Sequence, residues 1–287
     1  MGEDLVIDPS EQIGQSVASW SPESFDAQRI EGFVEDLTPD EEIRQGRRFG
    51  LHVIEGNEPA SDIGRFVESQ VFDEFFQNDL ERMKQEYSPY DAESTFLSVL
   101  DYEEKKPVGV IRIIRPSEAG LKSLNDLVDP SGPWFKEGDT VEKRFSEIGS
   151  DPEHTVDIST MAIMPEYRTN HAADGASAAL YSSCVRWSLA HGYNRWVTIV
   201  DESIYDMMQS WGEPFQPFKD AEWASYIDSA KSIPVHTELH SGLEKIKRFD
   251  QDMTQKFGNP VDIHGLYTRG VGLEKDFVLP DFGDAVQ

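Results

Sequence analysis

The spacing of apolar residues changes several times along the chain, and each change marks an expected element. Phe49-Gly50-Leu51-His52-Val53-Ile54 reads as a strand, ended by the turn Gly56-Asn57-Glu58-Pro59. Ile63, Phe66, Val67, Val71, Phe75, Leu80 and Met83 then recur mainly at three- and four-residue spacing, which predicts one amphipathic helix with Ser61 or Asp62 as its N-cap. Thr95–Leu100 and Val108–Ile114 read as strands, and the short polar link Glu103-Glu104-Lys105-Lys106-Pro107 makes them an antiparallel hairpin. Residues 116–150 read as a helical and irregular insertion with Trp134 and Phe135 against the sheet. Val156–Met164 alternates as a central strand should, and Pro165 ends it.

Asp174-Gly175-Ala176-Ser177 is expected to open a helix whose apolar face is Ala176, Leu180, Cys184 and Trp187, with His191-Gly192 closing it. Trp196–Val200 returns as a buried strand, which completes a βαβ unit. Beyond it come a short helix near Ile204–Gln209, a strand over Ile233–Leu239, a helix on Leu243, Ile246, Phe249, Met253 and Phe257, and a last strand over Ile263–Thr268. Residues 1–45 show no sustained period. With twelve acidic side chains against Arg29 and Arg44, and Pro9, Pro22 and Pro39 scattered through them, they read as a loosely packed acidic arm on a body of residues 46–287. Its aromatics Trp20, Phe25 and Phe33 can still dock on that body.

Charge narrows the choice of partners. Asp and Glu number 54 against 26 Lys and Arg, a formal charge of −28, so the field of the protein repels nucleic acid and anionic lipid surfaces. A hydrophobic fraction of 38 % with 11 % aromatics still suffices for a core. Cys184 is the single cysteine, which rules out an internal disulfide, and Met1-Gly2-Glu3-Asp4 lacks the basic and apolar regions of a signal peptide, so a cytoplasmic location is expected. No apolar run reaches the ~18 residues of a membrane span.

A polyanionic ligand would therefore need a local cradle. Arg168, Thr169, Asn170, His171, Ala173, Gly175 and Ala176 lie between a strand end and a helix start, where small residues expose backbone N–H groups and the helix dipole is positive. Arg168 adds the nearest full positive charge. The same stretch also reads as an ordinary capping loop. His236 and His240 flank Glu238 without a third ligand, so no metal is expected. Cys184 reads as a packed thiol, and Met207, Met208 and Trp211 as core or as the lining of an apolar tunnel.

The order strand, helix, hairpin, strand, Pro165-Glu166-Tyr167-Arg168, helix, strand resembles the GNAT acyltransferase superfamily over about residues 48–270, most closely between Met161 and Gly212. Val71-Phe72-Asp73-Glu74, Tyr90-Asp91, Val108-Gly109-Val110-Ile111-Arg112 and Asp157 are further similar to the branch of N-acylhomoserine lactone synthases and N-acyl amino acid synthases. The resemblance implies an α/β (α+β) domain with a mixed, mostly antiparallel sheet flanked by helices, whose fourth strand splays from the fifth to admit a thioester. The donor it implies is acyl-CoA or acyl carrier protein, with no tightly bound cofactor, and the acceptor is a small amine. A catalytically silent domain that binds an acyl carrier or a protein partner is the alternative.

Within that resemblance, Asp157 is the expected base or ammonium-binding acid, unless it pairs with Arg112, and Glu153 is the reserve. The backbone of Ala162, Ile163 and Met164 would bind pantetheine amides and the thioester oxygen, or simply pair within the sheet. Tyr205 would protonate the leaving thiolate or serve as packing, and Asp91 and Arg112 would hold charged ends of the acceptor or form an ion pair. Departures are also clear. His171 and Ala173 follow Arg168 where the pyrophosphate loop has glycine and then glycine or alanine, with Gly175 displaced further on, and Met208 precedes Gly212 where Tyr is usual. Glu68 and Thr160 stand where the lactone synthases carry Arg, which argues against lactone formation.

Overall fold

The computed structural model describes residues 20–41, 48–168, 171–210, 215–239 and 267–269, with backbone alone for 171–175, 178, 182, 210 and 267–269. A nine-stranded sheet runs in the order β6-β8-β5-β4-β3-β2-β1-β9, with β7 paired to β8. The strands are β1 Phe49–Glu55, β2 Ser94–Asp101, β3 Lys106–Ile114, β4 Thr155–Ile163, β5 Arg195–Asp201, β6 Gln216–Pro217, β7 Ala224–Tyr226, β8 Ser229–Glu238 and β9 Tyr267–Arg269. β1 to β4 are successively antiparallel, β4 and β5 are parallel, and β5 and β8 are antiparallel. β9 adds to β1 in parallel and overlaps the end of the last strand expected from the sequence, at Tyr267 and Thr268. The expected helix at residues 243–257 lies outside the described residues.

The helices are α1 Ala27–Leu37, α2 Asp62–Phe76, α3 Leu80–Tyr87, α4 Lys122–Val128, α5 Val141–Glu147, α6 His171–Ala190 and α7 Glu202–Ser210. α2 and α3 replace the single expected helix. Gln77 takes a left-handed φ of 56° and ends α2, and Asp79 restarts the chain by accepting the Arg82 N–H. α6 begins at His171, earlier than expected, so the loop before it is shorter. Its face Ala176, Leu180, Cys184 and Trp187 is buried as the spacing predicts. In the insertion, Trp134 is buried, while Phe135 is only half-buried.

α2 and α6 cover opposite faces of the sheet. The Arg112 side chain of β3 meets Glu68 of α2, whereas a Cβ on Gly109, three residues away, would lie 3.2 Å from Leu180 of α6. An odd separation along a strand puts the two positions on opposite faces. Glycine at 109 lets β4 and α6 approach closely, because the same Cβ would lie only 2.4 Å from Ile163 Cδ1.

In the segment expected as a loosely packed arm, residues 20–41 are docked on this body. Asp26 caps α1, Ile30 and Val34 are buried, and Trp20 stacks on Tyr87 with ring centroids 6.4 Å apart. Residues 1–19 and 42–47 lie outside the described residues. No helix among the described residues is long and apolar enough to cross a membrane.

Candidate active site

β4 and β5 are bonded through only three pairs, Thr155↔Arg195, Val156↔Trp196 and Asp157↔Val197. Beyond Asp157 both strands continue, β4 to Ile163 and β5 to Asp201, without pairing to each other. The cause lies at the next turn of the register. Arg112 faces Thr160 while Ile113 faces Ile158, so Ser159 is a surplus residue in β4. Such a bulge bends its strand and increases the local twist, which carries β4 away from β5.

The gap opens into a cavity of about 440 Å³. Its walls are the residues Ile158–Ile163 of β4 and Thr198–Asp201 of β5, closed by Tyr181 and Cys184 of α6, Phe72 and Phe75 of α2, and Met207 and Met208 of α7. Apolar surface outweighs polar in this lining, as in sites that bind small molecules. Trp211 lies outside the described residues.

The edge of β4 that faces the gap follows from alternation. The N–H of Met164 bonds to the Val108 carbonyl at 2.8 Å, so every second residue back along β4, Ala162 first, also turns its main chain to β3. Of the three backbone positions expected to bind a thioester, only Ile163 therefore faces the gap. Met161 joins it.

Asp157 is fully buried and lies behind the cavity wall. Its Oδ2 accepts the Ser123 N–H at 2.5 Å, at the start of α4, and its Oδ1 accepts the Ser159 hydroxyl at 2.8 Å. It thus ties the bulge to the insertion and does not pair with Arg112. Burial raises its pKa to about 6, against the partial relief of those hydrogen bonds. Glu153 is exposed, in the short turn Pro152–His154 before β4 and thus at the far end of the strand from the gap. Tyr205 stands edge-on to Trp223 with centroids 5.4 Å apart, while its neighbours Ile204 and Met207 line the cavity.

Asp91 and Arg112 are in contact but enclosed. Arg112 Nε and Nη2 donate to the two oxygens of Glu68 at 2.9 and 2.6 Å, and Nη1 donates to Asp91 Oδ1 at 3.0 Å. Arg65 Nε and Trp20 Nε1 complete Asp91 at 3.2 and 2.6 Å, and Thr160 donates its hydroxyl to Glu68. Arg112 and Glu68 are both fully buried, so neither is placed to meet an acceptor. Sequence reasoning noted Glu68 and Thr160 only as departures from a pattern. They are each other's partners.

Lys122 is a second group that the sequence did not mark. It lines the cavity with its ammonium donating to Glu86, Asp126 and the Tyr226 oxygen, each at 2.8 Å. Burial opposes that charge, but Tyr226, Asp126, Tyr87 and Glu86 outweigh it and hold its pKa well above the usual lysine value.

At the mouth, Arg168 donates from Nε to the Ile163 carbonyl at 2.7 Å and from Nη1 to Glu74 at 2.7 Å, and it lies over the Phe75 ring. Its Nη2 is buried with no partner among the described residues. Thr169 and Asn170 lie outside the described residues. His171, Ala173 and Gly175 fall in the first turns of α6, and Ala176 is buried on its inner face. Cys184 is fully buried, which pushes its thiol well above the ordinary range. His236 packs against Phe218, and burial lowers its pKa to about 4. His240 is outside the described residues. Among the described residues no cluster of ligands could hold a metal ion.

Residues 67–177 match the family model of the acetyltransferase (GNAT) domain. Over those residues the chain is similar to a GNAT domain. The split sheet, with its mostly antiparallel strands and one parallel pair at β4 and β5, is the GNAT fold. No curated protein matches the sequence. Among solved structures, FeeM, an N-acyl amino acid synthase from uncultured soil microbes, superposes with a TM-score of 0.50 at 11 % identity, covering 69 % of this chain and 94 % of its own. BjaI, a CoA-dependent acyl-homoserine lactone synthase solved with SAM and isopentyl-CoA, gives 0.48 at 13 % identity, covering 77 % and 94 %. The acyl-homoserine lactone synthase LasI gives 0.45 at 19 % identity, covering 68 % and 91 %. At such identities the likeness to FeeM concerns the fold.

Proposed function

We propose that this GNAT domain is an N-acyltransferase that moves an acyl group from acyl-CoA or acyl carrier protein to the amine of a small polar acceptor, such as an amino acid. The parting of β4 from β5 after Asp157 carries this reading. An extended pantetheine arm has amides spaced to pair with a strand edge, and the main chain of Met161 and the N–H of Ile163 face along that edge, the Ile163 carbonyl being taken by Arg168. A backbone N–H aimed at the thioester oxygen stabilises the charge that develops there as the amine attacks. Attack forms the C–N bond and breaks the C–S bond, releasing a thiol. The apolar walls exclude water, which strengthens those hydrogen bonds and protects the thioester from hydrolysis.

Arg168 serves the other end of the donor. Its Nη2 is enclosed and without a partner among the described residues, so a turn of the guanidinium toward the cavity would offer it to a diphosphate without any basic surface on the protein. Asp157 holds the bulge in place, so its part in catalysis is to position β4. The name of FeeM, an N-acyl amino acid synthase of similar fold, accords with an amino-acid acceptor.

Release of free thiol from acetyl-, octanoyl- and palmitoyl-CoA, and from the matching acyl carrier proteins, tests the reading across the proteinogenic amino acids and simple alkylamines. Turnover with at least one pair is expected. Thermal stabilisation by acyl-CoA with no turnover for any pair would favour a silent carrier-binding domain instead.

A further inference from the structure

Asp201 is the last residue of β5, within the stretch that β4 has left, and it lines the cavity. Among the described residues no other carboxylate does so. Its Oδ1 accepts the Ser203 hydroxyl at 2.6 Å and the Ile204 N–H at 2.9 Å, which caps α7. Its Oδ2 has no hydrogen bond among the described residues. A helix cap requires one oxygen, so the second leaves a negative charge at the edge of an apolar chamber. The other charges in the lining differ. Lys122 already donates all three of its N–H bonds, and Arg168 is anchored on Ile163 and Glu74.

We propose that Asp201 receives the ammonium group of the acceptor and takes its proton as the amide forms. The inference rests on the acyltransferase reading and deepens it, assigning a cationic amine as the acceptor's reacting end. An amine is protonated at neutral pH and attacks only when its lone pair is free. Transfer into an apolar site disfavours the ammonium, which eases its loss of a proton to a fixed carboxylate. Asp201 takes one proton from the ammonium, and the freed nitrogen attacks the thioester carbon. The C–N bond forms, the C–S bond breaks, and the sulfur leaves with the electron pair. A second nitrogen proton neutralises that thiolate, and Asp201 passes its own proton to water.

Asp201→Asn separates this role from capping, because Asn caps a helix as well as Asp. Ethylamine and methoxyamine have nearly the same size, but at neutral pH only the first carries a charge. With octanoyl-CoA as donor, the variant is expected to lose about 100-fold or more in kcat/KM for ethylamine and for the amino acid turned over fastest. It should lose less than about 3-fold for methoxyamine, with the KM for octanoyl-CoA and the thermal shift it produces unchanged. Equal loss with charged and uncharged acceptors would mean a structural role and overturn the assignment, as would variant rates with ethylamine and the amino acid that match the wild type. A wild-type protein that releases no thiol with any acceptor overturns the acyltransferase reading itself, which is a different failure.

Discussion

The α2 side of the sheet and the gap between β4 and β5 both hold charged groups, in opposite conditions. Under α2, Arg65, Arg112, Glu68 and Asp91 are buried and each is hydrogen-bonded to another member of one network. In the gap, the main chain of Met161, the Ile163 N–H, Arg168 Nη2 and Asp201 Oδ2 are left over among the described residues. Buried polar groups in proteins are nearly always satisfied, so the exceptions carry the information. Charge by itself does not locate a site here. Unused hydrogen-bonding capacity does so only where it borders the cavity, because Asn78 Oδ1, Ser98 Oγ and Arg144 Nε are also unpartnered among the described residues, away from it.

The sharpest way to break this contrast is to attack the satisfied side. Arg112→Met leaves Glu68 and Asp91 short of a partner in the core and should cost about 3–5 kcal/mol in denaturant unfolding, while the folded fraction still binds octanoyl-CoA. Trp20→Ala removes the cap on Asp91 and the stack on Tyr87, and is expected to cost about 3 kcal/mol. A loss below about 1 kcal/mol would show that the N-terminal segment lies on the surface of the body without stabilising it.

Asp157 tests the boundary between the two regions. Its folded pKa, about 6, is above its unfolded value, so the native state holds this proton more tightly. The resulting stabilisation is complete below the unfolded pKa and is lost as pH rises through the folded one. Wild-type stability from this group should therefore fall by at most about 3 kcal/mol between about pH 4 and 6. Asp157→Asn should flatten that part of the melting profile. If the acid only positions β4, the variant keeps acyl transfer within about 10-fold, whereas a direct base would cost 10²–10⁴-fold.

On the open side, Ser177→Trp places a ring in the cavity and should weaken octanoyl-CoA binding at least about tenfold, or 1.4 kcal/mol, by calorimetry. The smallest effect is expected for Tyr205→Phe. Because Tyr205 packs on Trp223, thiol release should change by less than about twofold.

What the sequence showed depended on how local the cause was. The β2–β3 hairpin and the inner face of α6 follow from spacing within a few residues, and both formed where the pattern put them. The break at Gln77 did not show, because apolar residues continue across it in helical register and only a left-handed backbone at that residue divides the helix. The partners of Glu68 were equally hidden. Thr160 lies 92 residues away in the chain, and no periodicity links two groups that meet only after the sheet has assembled. For the acid on the central strand, Asp157, the sequence offered Arg112 as a partner. The donor proved to be a backbone N–H at the start of α4 and a neighbouring serine, neither of which has a sequence signature.

Ser159 has the widest consequence. The opening follows from the count of residues between Asp157 and Met161, where β4 has one more than β3 can match, and Asp157 and Ser159 hold that surplus in place. Deleting a single codon there would restore regular alternation opposite Ile113 and Arg112, leave every other inward-facing group in its place, and let the two parallel neighbours run together. The trait would thus resist most point mutations and vanish with one in-frame deletion, so a comparison of related genes should look first at gaps in this strand.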